Sequence, residues 1–193
     1  MPLTMVWLHD PVIRPIGSMD ENAGPAHRIR PREKGDLEAC ARVLAEVHRG
    51  DGYPVNWPEI PADWLAPPGQ LAGWVAELDG RIVGHLALSP AGDGDAAPGL
   101  WSARTGRPAA GSAVVSRLFV SPSARGHGLG ALLLDRAVRD AAARGLHPVL
   151  DVVASDTAAA ALYERLGWHL LAVVEQRWSP DRTVTVRCYA APA

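Results

Sequence analysis

Hydrophobic and polar positions alternate in three recognisable ways along this chain, and each way predicts an element. His27-Arg-Ile-Arg-Pro-Arg32 reads as a first strand, and Asp36 to Arg49 as an amphipathic helix with Leu37, Cys40, Val43, Leu44 and Val47 on one face. Gly50-Asp-Gly52 ends that helix, and a short second helix is expected around Ala62 to Leu65. Leu71 to Leu78 and Arg81 to Ser89 form two strands of an antiparallel hairpin about Asp79-Gly80, a two-residue turn pair whose backbone suits the strand twist. Ala91 to Gly111 is rich in Gly, Pro and Ala and reads as a long loop, functional or mobile.

Beyond that loop the pattern becomes strand-helix-strand-helix. Val114 to Val120 is an apolar strand ending at Pro122, followed by Gly126, Gly128 and Gly130 and then by helix formers from Ala131 onward. Pro148 to Ala154 is a β-branched run, after which Ser155-Asp-Thr opens an alanine-rich helix that Gly167 stops. Leu170 to Gln176 and Thr183 to Tyr189 read as two final strands joined at Ser179-Pro-Asp181. Met1 to Pro25 shows no periodicity and is expected to be an arm, disordered or an over-extended start, with Met19 an alternative initiation site. Residues 26–193 form the expected single domain.

The glycine-rich bend is the richest chemical signal. Amides freed at a helix N-terminus, with the positive end of the helix dipole behind them, bind an anion without a basic side chain. A mononucleotide loop would need a Lys after its last Gly, and a dinucleotide loop would need Gly-x-Gly-x-x-Gly; the chain has neither. Arg125-Gly-His-Gly128-Leu-Gly130 instead resembles the pyrophosphate loop of the GCN5-related N-acetyltransferase (GNAT) superfamily. A second segment carries the same resemblance, with Ala159, Leu162, Tyr163, Gly167 and Trp168 matching the family's Asn-x-x-Ala-x-x-Leu-Tyr helix and its Gly-aromatic end. Asp156 stands where the family usually has Asn. An ionised carboxylate only accepts hydrogen bonds, so its contact to the cofactor's pantetheine arm is in doubt.

The resemblance implies an α/β (α+β) GNAT fold: a central mixed, mostly antiparallel sheet flanked by helices, with one splayed parallel strand pair. It further implies acetyl-CoA as the acyl donor. The backbone of Leu118, Phe119 and Val120 would meet the pantetheine and acetyl carbonyl, and the amides of Arg125, Gly126, His127, Gly128, Leu129 and Gly130 the pyrophosphate, while the side chains of Leu118 to Val120 serve the core. Tyr163 is the expected general acid for the leaving sulfur. No carboxylate stands between Ala113 and Val120, where many relatives hold their base. Asp151, His85, Glu77 and Asp51 are therefore the base candidates, with structural roles the alternative for each. Asp51, Tyr53, Asn56, Trp57 and Trp101 are expected to bind the acceptor, a small-molecule or peptide amine. A non-catalytic acyl-CoA-binding module remains the competing reading, and a homodimer is compatible with either.

Composition narrows the partners. A chain of 193 residues with 48% apolar residues can build one core, and a net charge of −2 provides no overall basic field for nucleic acid. Cys40 and Cys188 share no metal-ligand spacing with the histidines, so no metal is expected, and free thiols fit a reducing compartment. The first fifteen residues lack the pattern of a secretory signal and no apolar run has membrane-spanning length, so the expectation is a cytoplasmic protein without a membrane partner.

Overall fold

A computed structural model describes residues 26–179 and 182–192. The expected arm at residues 1–25 and the turn residues Pro180 and Asp181 lie outside the described residues. Seven strands, β1 (His27–Pro31), β2 (Ala72–Leu78), β3 (Arg81–Pro90), β4 (Ser112–Val120), β5 (His147–Val153), β6 (His169–Ser179) and β7 (Arg182–Ala190), form one sheet in the order β1-β2-β3-β4-β5-β7-β6. Every neighbouring pair is antiparallel except β4 with β5. The hairpin between β2 and β3 turns through Asp79 and Gly80 at φ 50° and 74°, the left-handed pair that the strand twist requires.

Among the described residues five α-helices cover the sheet: α1 (Leu37–Asp51), α2 (Pro61–Leu65), α3 (Ala97–Thr105), α4 (Leu129–Ala143) and α5 (Thr157–Arg165). Helix α1 buries the four expected residues Cys40, Val43, Leu44 and Val47, and Gly52 caps it at φ 72°. Asp156 caps α5 by accepting the Ala159 amide at 2.9 Å, and Gly167 follows at φ 78°.

The segment from Ala91 to Gly111 departs from the sequence expectation: it holds α3 rather than a continuous loop. Its Pro98 falls in the first turn, where a missing N–H costs nothing. The N-terminal amides of Ala96 and Ala97 donate to the Asp151 carboxylate of β5 at 2.7 and 3.0 Å, a cap delivered from over fifty residues away. Trp101 then buries itself against Val149, Val186 and Cys188 and stacks on His147 at 5.3 Å. Such a helix is stabilised by tertiary contacts, not by its own periodicity.

The two faces of the sheet are covered differently. On one, α4 and α5 contribute Leu129, Leu133, Leu134, Ala137, Ala160 and Tyr163 to a continuous core with Trp74, Leu86, Leu88, Val115 and Tyr189. Each fully buried Leu there contributes roughly 1.5–3 kcal/mol. On the other face, α1 and α2 pack over Val75 and Phe119, while α3 packs separately over Val114, Val149 and Val186. A gap remains between these two patches.

Candidate active site

Strands β4 and β5 pair only at Ser112–Val114 with His147–Val149. From Val115 to Val120 the edge of β4 that faces β5 has no strand partner, so main-chain groups there are available to an extended ligand. This is the splayed pair the sequence resemblance implies. At the end of β4 the chain passes Pro122–Ala124 and enters the glycine loop, where Gly126 and Gly128 take φ of 85° and 72°. Gly128 is the N-cap of α4 and no side chain caps that end, which leaves the first-turn amides open. Gly130 instead lies inside α4, where a Cβ would come within 3.3 Å of Leu162. A side chain at Gly130 would make the end of Leu162 give by a few tenths of an ångström, whereas the other two glycines are set by their left-handed backbone.

Leu118 and Val120 pack partly against the α4 core and are half-buried, whereas Phe119, against α1, and Leu129 are buried and can offer a ligand only their backbone. His127 is exposed, with Nδ1 near the Ala124 and Arg125 carbonyls at 3.2 Å. Arg125, also exposed, ion-pairs with Asp51 at the end of α1, and that carboxylate holds the guanidinium above its ordinary pKa. Asp51 therefore sits with the glycine loop rather than with the acceptor residues.

Tyr163 is 6% exposed and packs between Trp168 and Tyr189, ring centroids 5.9 and 5.7 Å away. Burial raises its phenol pKa, with the charges of Tyr53 and Asp156 acting in the same direction. The hydroxyl consequently stays protonated at neutral pH, the state a proton donor needs.

The gap on the second face is a cavity of about 690 Å³. Its walls include Tyr53 and Asn56 before α2, Trp64 on α2, Asp95 before α3, Arg117 on β4 and Trp178 on β6. Of the five expected acceptor residues only Tyr53 and Asn56 reach it. Trp57 is 43% exposed and rests on His48 at 5.1 Å, and Trp101 is a core residue of α3 at 3% exposure. Asp151 lines the cavity, yet its oxygens already accept from Ala96, Ala97 and the Gln176 amide at 3.1 Å. Glu77 lies on β2, ion-paired with Arg30 at 2.7 Å.

His85 is completely buried, and its two ring nitrogens are both engaged. Arg32 Nη1 donates to Nε2 at 3.0 Å, so the proton must be on Nδ1, which donates to the Arg117 carbonyl at 3.0 Å. Burial, reinforced by the charges of Arg32 and Arg117, lowers its pKa from 6.5 to about 3. A ring without a free acceptor and with so low a pKa cannot serve as a base near neutral pH; it is a clamp.

What His85 clamps is a bulge. Between Ser116, opposite Ala87, and Phe119, opposite His85, strand β4 carries one more residue than β3, and Arg117 takes φ 53°. Sequence reading missed Arg117, Asp95 and Trp178. Arg117 was masked by its place in an apolar strand, Asp95 by a segment read as loop, and Trp178 by a strand that runs past its expected end at Gln176. Burial raises the Asp95 carboxyl pKa even though the Gly92 amide donates to it at 3.1 Å.

With this geometry the chain meets known proteins. A model described as the acetyltransferase (GNAT) family matches residues 37–168, and the chain belongs to that family. It is therefore an N-acetyltransferase by class, with acetyl-CoA as the acyl donor. An uncharacterized N-acetyltransferase of Archaeoglobus fulgidus is 31% identical over 120 residues, 60% of this chain and 74% of the relative. The fold is shared with the ribosomal-protein-S18-alanine N-acetyltransferase of Escherichia coli (TM-score 0.63, 20% identity, 86% of this chain and 94% of that one). It is shared equally with NAA60 of Arabidopsis thaliana, solved in complex with acetyl-CoA (TM-score 0.63, 16% identity, 87% and 100%). No helix of the described residues is long and apolar enough to cross a membrane.

Proposed function

We propose that the protein transfers the acetyl group of acetyl-CoA directly to a primary amine held in the cavity beside β4, both substrates being bound at once. The observation that carries this reading is the parting of β4 from β5 after Val114 and Val149, with the glycine loop at the end of β4 and the cavity on the adjoining face. The loop amides from Arg125 to Gly130 bind the pyrophosphate, and the backbone of Leu118 to Val120 receives the pantetheine and polarises the thioester carbonyl. Asp156, engaged as the α5 cap, contributes through the helix it starts.

The amine must reach the thioester carbon uncharged. Asp95 is the cavity carboxylate best suited to take its proton, because burial raises its pKa and one of its oxygens bears a single backbone bond. Attack places negative charge on the carbonyl oxygen, which β4 amides stabilise; collapse of the intermediate breaks the C–S bond as Tyr163 protonates the departing sulfur, and the proton that the acylated nitrogen gives up restores the phenol. The competing non-catalytic reading rested on the lack of a carboxylate on β4. Carboxylates from outside β4 line the cavity and remove its basis.

The test is CoA release from acetyl-CoA measured across a panel of primary amines, with the melting temperature followed in parallel. Amine-dependent release is expected, and acetyl-CoA at about a hundred times its dissociation constant should stabilise the protein by roughly 2.7 kcal/mol. The absence of any melting shift at saturating acetyl-CoA would remove the donor assignment.

A further inference from the structure

Two buried side-chain polar atoms among the described residues have no hydrogen-bond partner, Ser89 Oγ and Arg117 Nε. Both residues line the acceptor cavity. Unsatisfied buried polar atoms are uncommon in folded proteins because each loses its water without a replacement. Both are closed to solvent as they stand, so a ligand that uses them must first displace a neighbouring atom.

The guanidinium of Arg117 sharpens the point. Nη1 donates to Ser116 Oγ at 3.0 Å and the guanidinium carbon lies 5.0 Å over the Trp64 ring, both neutral contacts. Arg117 joins no ion pair among the described residues. Burial lowers its pKa, with Tyr53 and the Asp95 carboxylate acting in the opposite direction. Its position is also fixed unusually firmly. A non-glycine residue at φ 53° is held only when its surroundings demand it, and here the Arg117 carbonyl is tied to buried His85, itself held by Arg32. Arg32 in turn donates to the Leu65 carbonyl at 2.5 Å and to Gln70 Oε1 at 2.7 Å, linking the bulge to the loop after α2 that forms another wall.

The remaining charged groups of the cavity are the carboxylates Asp95 and Asp151. The space therefore offers a rigid guanidinium fork with hydroxyls near it, and carboxylates elsewhere on its walls. A ligand that complements both bears an anion and a cation. The planar fork suits a carboxylate, and the cation is the acceptor's own ammonium before it loses its proton.

We infer that the acceptor is an amino acid, whose carboxylate is bound by Arg117 with Ser89 alongside while its amine faces the thioester. This inference rests on the acetyltransferase reading of the cavity and specifies its substrate class. A charge-assisted contact of this kind should favour the acid over a neutral analogue by about ten- to a hundred-fold.

The experiment compares each proteinogenic L-amino acid with its own carboxamide, which keeps the amine and removes the charge. Parent and Arg117→Gln proteins are assayed for CoA release, and both are checked for an acetyl-CoA-induced melting shift. The expected result is at least one amino acid preferred over its amide by ten-fold or more in kcat/KM. In Arg117→Gln that preference should fall to within about three-fold while the acetyl-CoA shift persists. Arg117→Lys, which keeps the charge and loses the fork, should recover part of it. Amides used as well as acids, or a preference that survives in Arg117→Gln, would overturn the carboxylate site while leaving the acetyltransferase reading intact. Should no amine be turned over, melting shifts with amino acids in saturating CoA decide: a shift in the parent that Arg117→Gln lacks supports the site, and no shift with any amino acid overturns it. If Arg117→Gln fails to fold, the acid-to-amide comparison on the parent alone still does so.

Discussion

The proposed donor half and the proposed acceptor half of this site are assembled from opposite kinds of sequence. The pyrophosphate loop is a single continuous stretch, Arg125 to Gly130, whose shape follows from glycines at left-handed φ and from the start of α4. The acceptor cavity draws short runs and single residues from stretches between Tyr53 and Trp178, and its best-fixed member, Arg117, depends on His85 of β3 and on Arg32 just past β1. A local device can be kept while everything around it changes. A cavity of tertiary origin can be re-lined without disturbing that device, which is how one donor chemistry serves many acceptors.

Tyr163 is the proposed proton donor to the leaving sulfur, and altering it should give the largest effect. Tyr163→Phe keeps the ring between Trp168 and Tyr189 and deletes only the hydroxyl. Turnover should fall by roughly a hundred- to ten-thousand-fold with the acetyl-CoA Michaelis constant little changed, if chemistry limits the rate. Unaltered single-turnover rates would return Tyr163 to a packing role.

Gly128 tests the donor half alone. A Cβ there meets no protein atom within 4 Å, but φ of 72° penalises any other residue. Gly128→Val should therefore cost about 1–2 kcal/mol of stability from backbone strain. Acetyl-CoA affinity should fall by more than that strain accounts for, because the new side chain occupies the space over the α4 amides. Calorimetric titration of parent and variant checks this, and equal affinities would reduce the loop to a simple turn.

What could be read in the sequence divides along the same line. The strands, α1, α4, α5, the hairpin at Asp79-Gly80 and the cap at Asp156 all follow from spacing and turn chemistry within a few residues. The left-handed turn at Gly126 and Gly128 and the start of α4 were legible because their chemistry is local. Helix α3 was not, since Asp151 caps it from β5 and Trp101 holds it through β5 and β7. The Arg117 bulge was invisible for a related reason: no residue of β4 announces an extra residue in register, and the histidine that holds it lies on β3. Asp51, Trp57 and Trp101 had the composition of an acceptor site, but the fold directs them to Arg125, to His48 and to the core.

Asp151 offers a smaller and sharper comparison, between a chemical and a structural carboxylate in the same cavity. As an α3 cap it accepts from Ala96 on Oδ2 and from Ala97 on Oδ1, so Asp151→Asn keeps one of the two bonds and turns its NH2 toward the other donor; some stability should be lost, while turnover of the folded protein should stay within a few-fold of the parent. Asp151→Ala should cost about 1 kcal/mol of stability, read from chemical denaturation. A collapse of turnover in folded Asp151→Asn would make it the base in place of Asp95.

The smallest effect concerns the clamp behind Arg117. His85 has its pKa lowered in the folded protein, from 6.5 to about 3, so between those values the unfolded chain binds a proton that the native protein does not. Stability contributed by this group is therefore fully present above about pH 6.5 and is lost as pH falls toward 3. From about pH 7 to about pH 6 the loss is under about 1 kcal/mol, set almost wholly by the unfolded-state value. Urea denaturation of the parent across that interval should show the decline, and His85→Gln, which cannot titrate, should show a flatter profile from a lower starting stability. The acceptor half should weaken first on acidification, because protonating Nε2 would set the ring against Arg32 and loosen its hold on Arg117, whereas His127 of the glycine loop is exposed and meets only the Ala124 and Arg125 carbonyls, with no cation against its ring. Equal pH slopes in parent and variant would mean that His85 is not the group that couples proton uptake to the bulge.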